Sequence, residues 1–301
     1  MQSPFLWSSL TRVVASFIQQ TSVCTQVLSR CDGNCNELKL TIDGVQLHVA
    51  RAGNGPPLVL LHGFPLSHSI WKAQMEALMQ SVDIIAPDLR GMGDSDAPAG
   101  PYLMESIASD VAGILDALDI PRATIVGHSM GGYAALAFFR MFSERVERLA
   151  LVCTRVDADD ADVAEARLRL ADRLEREGME PAIDAYLPRL LAPSAPQDLV
   201  HSVSELIRAQ KPRGAAAMLR GAALRASSED LLQDVDVPAS IVCGEQDTIS
   251  PPSLNRTVAS RLKGAELCVI ERSAHLPMLE NPAALSVAIK GFLTGSGSFS
   301  A

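Results

Sequence analysis

The 301-residue chain carries 26 Lys and Arg against 35 Asp and Glu, a formal net charge of −9 at pH 7, which argues against nucleic acid as a partner because phosphate binding requires clustered cations. Hydrophobic residues make up 48% and charged residues 20%, and no apolar run is long enough to cross a bilayer, so the sequence reads as globular with no membrane span. Its length suits one large α/β domain, or a core domain with an inserted subdomain, with no need of disulfides for stability.

Residues 1–36 read as an extension that is either helical or disordered. Leu6, Leu10, Val13, Val14 and Phe17 form a helical stripe, but Arg12 interrupts it and no charged segment precedes it, unlike a secretory signal. Deleting this extension is expected to leave activity intact. Cys24, Cys31 and Cys35 lie in or beside it with no histidine at ligand spacing, so no metal site is expected there. Cys153, Cys243 and Cys268 sit in short apolar runs, where a thiol packs as a small hydrophobe. This usage suits a reducing, cytoplasmic compartment.

Regular structure is expected from residue 37. The runs 38–42 and 45–50 flank Asp43-Gly44, a hairpin turn dipeptide. The continuous apolar run 58–61 reads as a strand buried on both faces, followed by His62-Gly63-Phe64-Pro65. A helix over 69–79, a strand over 83–86, a polar glycine-rich loop from Asp88 to Asp96 and a helix over 104–118 come next. This alternation predicts a mostly parallel sheet with helices on both faces. After a strand ending at Cys153, residues 155–228 read as a helical cap inserted over the ligand crevice. The core, 37–154 and 229–293, resumes with strands ending at Cys243 and Glu271, and 294–301 read as a flexible tail.

Gly127-His128-Ser129-Met130-Gly131 stands between the β-prone run 123–126 and a helical stretch beginning at Tyr133. A serine on such a strand-to-helix turn is exposed at a helix N-terminus, where free N–H groups favour negative charge. A serine hydroxyl is too weak an acid to attack an ester unaided. It needs a neutral imidazole to take its proton and a carboxylate to hold that imidazole in the right tautomer.

Five stretches in order, His62-Gly63-Phe64-Pro65, the Asp88 to Asp96 loop, the 127–131 motif, Gly244-x-x-Asp247 and Ser273-Ala274-His275, resemble the α/β-hydrolase fold superfamily over about residues 37–293. Within it the chain is similar to the small esterase, enol-lactonase and cofactor-free haloperoxidase group. The resemblance implies Ser129 as nucleophile, Asp247 as the carboxylate and His275 as base and acid, with the backbone N–H groups of Phe64 and Met130 as an oxyanion hole. Asp157 is the alternative acid position of some relatives, and Pro65 resembles the proline of perhydrolases, which makes peracid formation an expected side activity. No cofactor and no metal are implied.

Among the other histidines, His62 is expected to support its loop, His128 to pack or to support the site, and His48, His68 and His201 to face solvent or the pocket rim. Asp88, Arg90 and Asp94 read as a salt bridge stabilising their loop. Trp71, Leu187 and Leu191 are expected to line an apolar pocket. Serine at position 129, where epoxide- and halide-cleaving relatives use aspartate, points to acyl transfer. The expectation is a carboxylic ester hydrolase acting on short to medium acyl esters. The alternative is a lactonase for a 3-oxoadipate enol-lactone-like substrate, with Arg155, Arg189 and Arg213 as candidate anchors, or a carbon–carbon bond hydrolase. A binding protein on the same fold is the remaining reading.

Overall fold

The computed structural model describes residues 25–31 and 35–295. The strands are β1 (Thr25–Cys31), β2 (Cys35–Ile42), β3 (Val45–Gly53), β4 (Pro57–Leu61), β5 (Asp83–Pro87), β6 (Ala123–His128), β7 (Val146–Val152), β8 (Ala239–Gly244) and β9 (Glu266–Ile270). The helices are α1 (Lys72–Leu78), α2 (Met104–Ala117), α3 (Met130–Phe142), α4 (Ala161–Glu177), α5 (Glu180–Leu190), α6 (Gln197–Arg208), α7 (Pro212–Ala223), α8 (Pro252–Arg261), α9 (Pro277–Glu280) and α10 (Pro282–Thr294).

All nine strands form one sheet in the order β1-β2-β3-β5-β4-β6-β7-β8-β9. The first three are joined antiparallel, and β3 pairs antiparallel with β5. From β5 through β9 every pairing is parallel. The hairpin between β2 and β3 turns on Asp43 (φ 47°) and Gly44 (φ 79°), with Ile42 facing Val45. Two successive residues at positive φ give the turn whose twist matches the flanking strands.

The helical-or-disordered extension is corrected in its second half: residues 25–31 form an edge strand paired with β2, and residues 35 and 36 already belong to β2. Pairing with β1 satisfies the outward N–H and C=O groups of β2, which would otherwise form an open edge. The expected helical stripe from Leu6 to Phe17 lies outside the described residues.

Strands β4 and β6 are central. Leu58, Leu60, Leu61, Ile125 and Val126 have no exposed surface, the result expected when both faces of a parallel strand are covered. Helix α2 packs on α3 and α1 on α10. Between β7 and β8 the chain forms helices α4 to α7 and no strand. Helix α7 lies so close to the Asp88–Asp96 loop that a Cβ on Gly214 would come within 2.0 Å of the Gly91 carbonyl oxygen. Gln210 Oε1 accepts from the Gly93 N–H at 2.8 Å, and Tyr102 N donates to Ala217 O at 3.1 Å, which fix the same seat.

Candidate active site

Strand β6 ends at His128 and α3 begins at Met130, so Ser129 makes the whole turn, with φ 52° and ψ −115°. Such a conformation costs a non-glycine residue on the order of 1–3 kcal/mol and persists only where its surroundings hold it. Three hydrogen bonds do so here. Ser129 N donates to Val152 O at 2.9 Å, while Ser129 O accepts from Gly132 N at 2.9 Å and from Thr154 Oγ1 at 2.6 Å. Strand and helix approach so closely that a Cβ on Gly127 would lie 2.4 Å from Gly131 O.

The loop after β9 brings His275 to the serine. Its Nε2 lies 2.8 Å from Ser129 Oγ and its Nδ1 lies 2.8 Å from Asp247 Oδ2. With Nδ1 protonated and donating to the carboxylate, Nε2 carries a lone pair directed at the hydroxyl. Asp247 follows β8. Its other oxygen accepts from Ile249 N at 2.8 Å and Ser250 N at 3.0 Å. Burial alone would raise its pKa, but His275 and these two donors outweigh that and hold it below the usual carboxylate value. The arrangement can take a proton from the serine hydroxyl onto an oriented imidazole without moving a side chain.

His128, expected to pack or to support the site, and Glu280, which the sequence did not single out, hold this geometry. His128 Nε2 donates to the His275 carbonyl oxygen at 2.8 Å. Glu280 accepts from Ala274 N at 2.9 Å, Leu276 N at 3.3 Å and Ala192 N at 2.7 Å. It thereby ties the His275 loop to the segment after α5, and His275 N itself donates to Leu190 O at 3.1 Å. Ser250 Oγ donates to Thr154 O at 2.7 Å. The one available sign of Glu280 was its place five residues after His275, at the end of a short helical turn that begins at Pro277.

Phe64 and Met130 lie on either side of the serine. Met130 opens α3, so its N–H has no acceptor within the helix. A Cβ on Gly63 would come within 3.0 Å of Ser129 Cβ, so the Gly63–Phe64 backbone passes directly against the serine. His62 holds that segment: its Nε2 accepts from Leu89 N at 2.9 Å and its Nδ1 lies 2.9 Å from Gly63 O. Burial lowers the His62 pKa and favours the neutral ring that this pattern requires.

The expected pocket residues divide. Leu187 on α5 keeps partial exposure and Leu191 is 7% exposed. Trp71 has no accessible surface and packs edge-on against the His128 ring at 6.4 Å between centroids. It is therefore core beneath the turn and offers no surface to a ligand in this conformation. Tyr186, beside Leu187, meets the Phe64 ring edge-on at 5.4 Å and was missed, because periodicity on α5 does not show which face meets the Phe64 loop.

Asp157 pairs with Arg155 at 2.5 Å and Glu245 caps Arg272 N at 3.1 Å, while Asp247 holds the imidazole. Arg189 and Arg213 are exposed. His201 is exposed as expected, but His48 is not: it is 4% exposed, bound to Asp88 and Glu37 under the Asp88–Asp96 loop. The expected salt bridge within that loop is also replaced. Asp88 binds two histidines and two backbone N–H groups, and Arg90 pairs with Asp110 at 2.5 Å.

His128, Cys153 and His275 bring potential ligand atoms within 4.8 Å of one another. Both His275 nitrogens already face Ser129 and Asp247, His128 Nε2 faces a carbonyl, and burial pushes the Cys153 thiol well up. The group is thus committed to the hydrogen-bonded array. Among the described residues no helix is long and apolar enough to cross a membrane.

Residues 56–282 match the family model for the α/β hydrolase fold. A thermophilic esterase from Thermogutta terrifontis, whose structure was determined with malate bound, is 35% identical with a TM-score of 0.84, covering 86% of this chain and 98% of that one. The enol-lactonase from Burkholderia xenovorans LB400 is 28% identical with a TM-score of 0.79, covering 85% of this chain and 99% of that one. The 3-oxoadipate enol-lactonase 2 of Acinetobacter baylyi is 27% identical over 84% of this chain and 95% of its own length. With a serine on the turn between β6 and α3 and this family match over most of its length, the chain belongs to the α/β-hydrolase fold family.

Proposed function

We propose that this hydrolase is a serine carboxylic ester hydrolase for short to medium acyl esters, with Ser129 as nucleophile, His275 as general base and acid, and Asp247 as the orienting carboxylate. The observation that carries this reading is His275, placed 2.8 Å from Ser129 Oγ on one ring nitrogen and 2.8 Å from Asp247 on the other. In the proposed reaction Ser129 Oγ attacks the ester carbonyl carbon while its proton passes to His275 Nε2. The carbonyl oxygen becomes an anion that the Phe64 and Met130 N–H groups receive. Collapse breaks the bond to the alcohol, which leaves with the proton from His275. A water then attacks the acyl-enzyme, gives its proton to the same nitrogen, and the acid departs as Ser129 recovers its proton.

The 35% identity to an esterase supports the ester reading. A dicarboxylate lactone would call for cationic anchors, and of the three arginines considered Arg155 is neutralised by Asp157 while Arg189 and Arg213 are exposed. Hydrolysis of p-nitrophenyl acetate and butyrate, with fluorophosphonate labelling that Ser129→Ala abolishes, is the expected result. Labelling with weak ester turnover and strong lactone turnover would favour a lactonase. Folded wild-type protein that neither labels nor turns over would leave a binding protein.

A further inference from the structure

In the loop after β5, Asp88 is 1% exposed in its side chain and holds two imidazoles by the same nitrogen. Its Oδ2 lies 3.0 Å from His48 Nδ1, and its Oδ1 lies 2.8 Å from His68 Nδ1. Each carboxylate oxygen also accepts a backbone N–H, from His68 at 2.8 Å on Oδ1 and from Asp94 at 2.9 Å on Oδ2. Each Nδ1 faces a carboxylate oxygen and can donate to it, which turns the Nε2 of both rings away from Asp88. A carboxylate that takes Nδ1–H and presents Nε2 is the outer support found behind metal-binding histidines.

The third group is Glu37 on β2, with its Oε2 2.7 Å from His48 Nε2. Ligating atoms of Glu37, His48 and His68 all lie within 4.8 Å of one another, and the two imidazole centroids are 4.9 Å apart. The side chains of Glu37 and His68 are 18% and 20% exposed against 5% for His48, so the group opens to solvent on one side and is fixed on the other. An Asp94 carboxylate oxygen lies within 4.8 Å of ligating atoms of His48 and Asp88 and adds negative charge.

We propose that His48, His68 and Glu37, held by Asp88, form a binding site for a divalent transition-metal ion of the zinc type, separate from the Ser129 centre. Two imidazoles, one carboxylate and one solvent position match that ion's preference for nitrogen and oxygen ligands in fourfold coordination. On entry the ion replaces the proton shared between His48 Nε2 and Glu37, and that proton leaves to solvent. The Glu37–His48 separation must widen by roughly half an ångström to admit the ion, which the partly exposed Glu37 side chain allows. The site bridges β2, β3, the segment after β4 and the loop after β5, so its role is to lock the antiparallel edge to the parallel sheet.

The test uses the full chain, stripped with EDTA and desalted, and titrated with Zn2+ by calorimetry and with Co2+ by visible absorption. One equivalent of Zn2+ is expected, with a melting temperature that climbs with free Zn2+ as binding to the folded state alone requires. His68→Ala and Glu37→Gln, at partly exposed positions, should each weaken binding at least about tenfold while circular dichroism stays unchanged. Absence of stoichiometric binding would leave only a hydrogen-bonded imidazole bridge and overturn the proposal. Binding of wild-type strength in both variants would place the ion elsewhere and overturn it equally.

Discussion

The imidazole of His128, one residue before the serine, donates from Nε2 to the backbone carbonyl of His275 at 2.8 Å. The turn that presents Ser129 therefore also anchors the loop that presents His275. Removing this bond should loosen the imidazole rather than the substrate. His128→Ala is expected to lower kcat by about 10- to 100-fold, the scale of a misplacement near 1 Å, with little change in KM. Steady-state kinetics on p-nitrophenyl butyrate checks this, and a loss confined to KM would refute it.

Asp247 and Asp157 make opposite predictions. Asp247→Asn should reduce kcat by roughly four orders of magnitude, because the amide favours the wrong tautomer of His275. Asp157→Asn, which only releases Arg155, should stay within about twofold, as surface-pair changes do. If the two effects are exchanged, the carboxylate has been assigned to the wrong strand end.

The close passage of Gly63 against Ser129 predicts a sharp sensitivity. In Gly63→Ala the added Cβ would meet His128 Nδ1 at 2.6 Å and Ser129 Cβ at 3.0 Å. The Phe64 N–H would have to move, and loss of one oxyanion donor costs about two to three orders of magnitude in turnover. Fluorophosphonate labelling rates alongside kcat measure it; unchanged rates would remove Phe64 from the proposed oxyanion hole.

His128 also sets a pH dependence of stability. Burial, helped by the neighbouring His275, pulls its pKa from 6.5 to about 3. Below 6.5 the unfolded chain takes up a proton that the folded chain refuses, so this contribution is present above that pH and is lost as pH falls toward 3. The slope is up to about 1.4 kcal/mol per pH unit, and His62, lowered by burial too, acts in the same sense. Urea unfolding between those limits should give a shallower slope for His128→Asn than for wild type, and equal slopes would remove His128 as a source.

Glu280 joins the His275 loop to the segment after α5 through three backbone N–H groups. Glu280→Ala leaves these donors without their acceptor, at a cost of about 1–3 kcal/mol for each that stays buried and unsatisfied. Lower stability in urea together with reduced kcat is expected. Glu280→Gln keeps one acceptor oxygen and should recover part of both.

Ser129, Asp247 and His275 could be read together because each follows a recognisable strand and the three stand in the order that the resemblance implies. The helical stretch between β7 and β8 was legible for the same reason, as an interruption in strand spacing. What escaped depends on side chains reaching between elements. His48 sits in an alternating strand where its outward position suggests solvent, yet the Asp88–Asp96 loop folds over it and supplies a carboxylate. Trp71 reads as pocket wall from its place after the Phe64 loop, but a large ring one helical turn deeper becomes core. The β1 strand went unread because Thr25–Cys31 gains its conformation from the β2 edge it completes.

The contact of Gly214 on Gly91 leaves no room for a methyl group at the point where α7 meets the loop carrying Asp88. A helix seated backbone to backbone cannot slide or be re-angled by small steps, since every larger residue at that point lifts it away. Changes of side-chain size are therefore accommodated more readily on α5, where Leu187 keeps partial exposure. The glycine contact acts as a fixed datum, and chemical novelty has to be written around it.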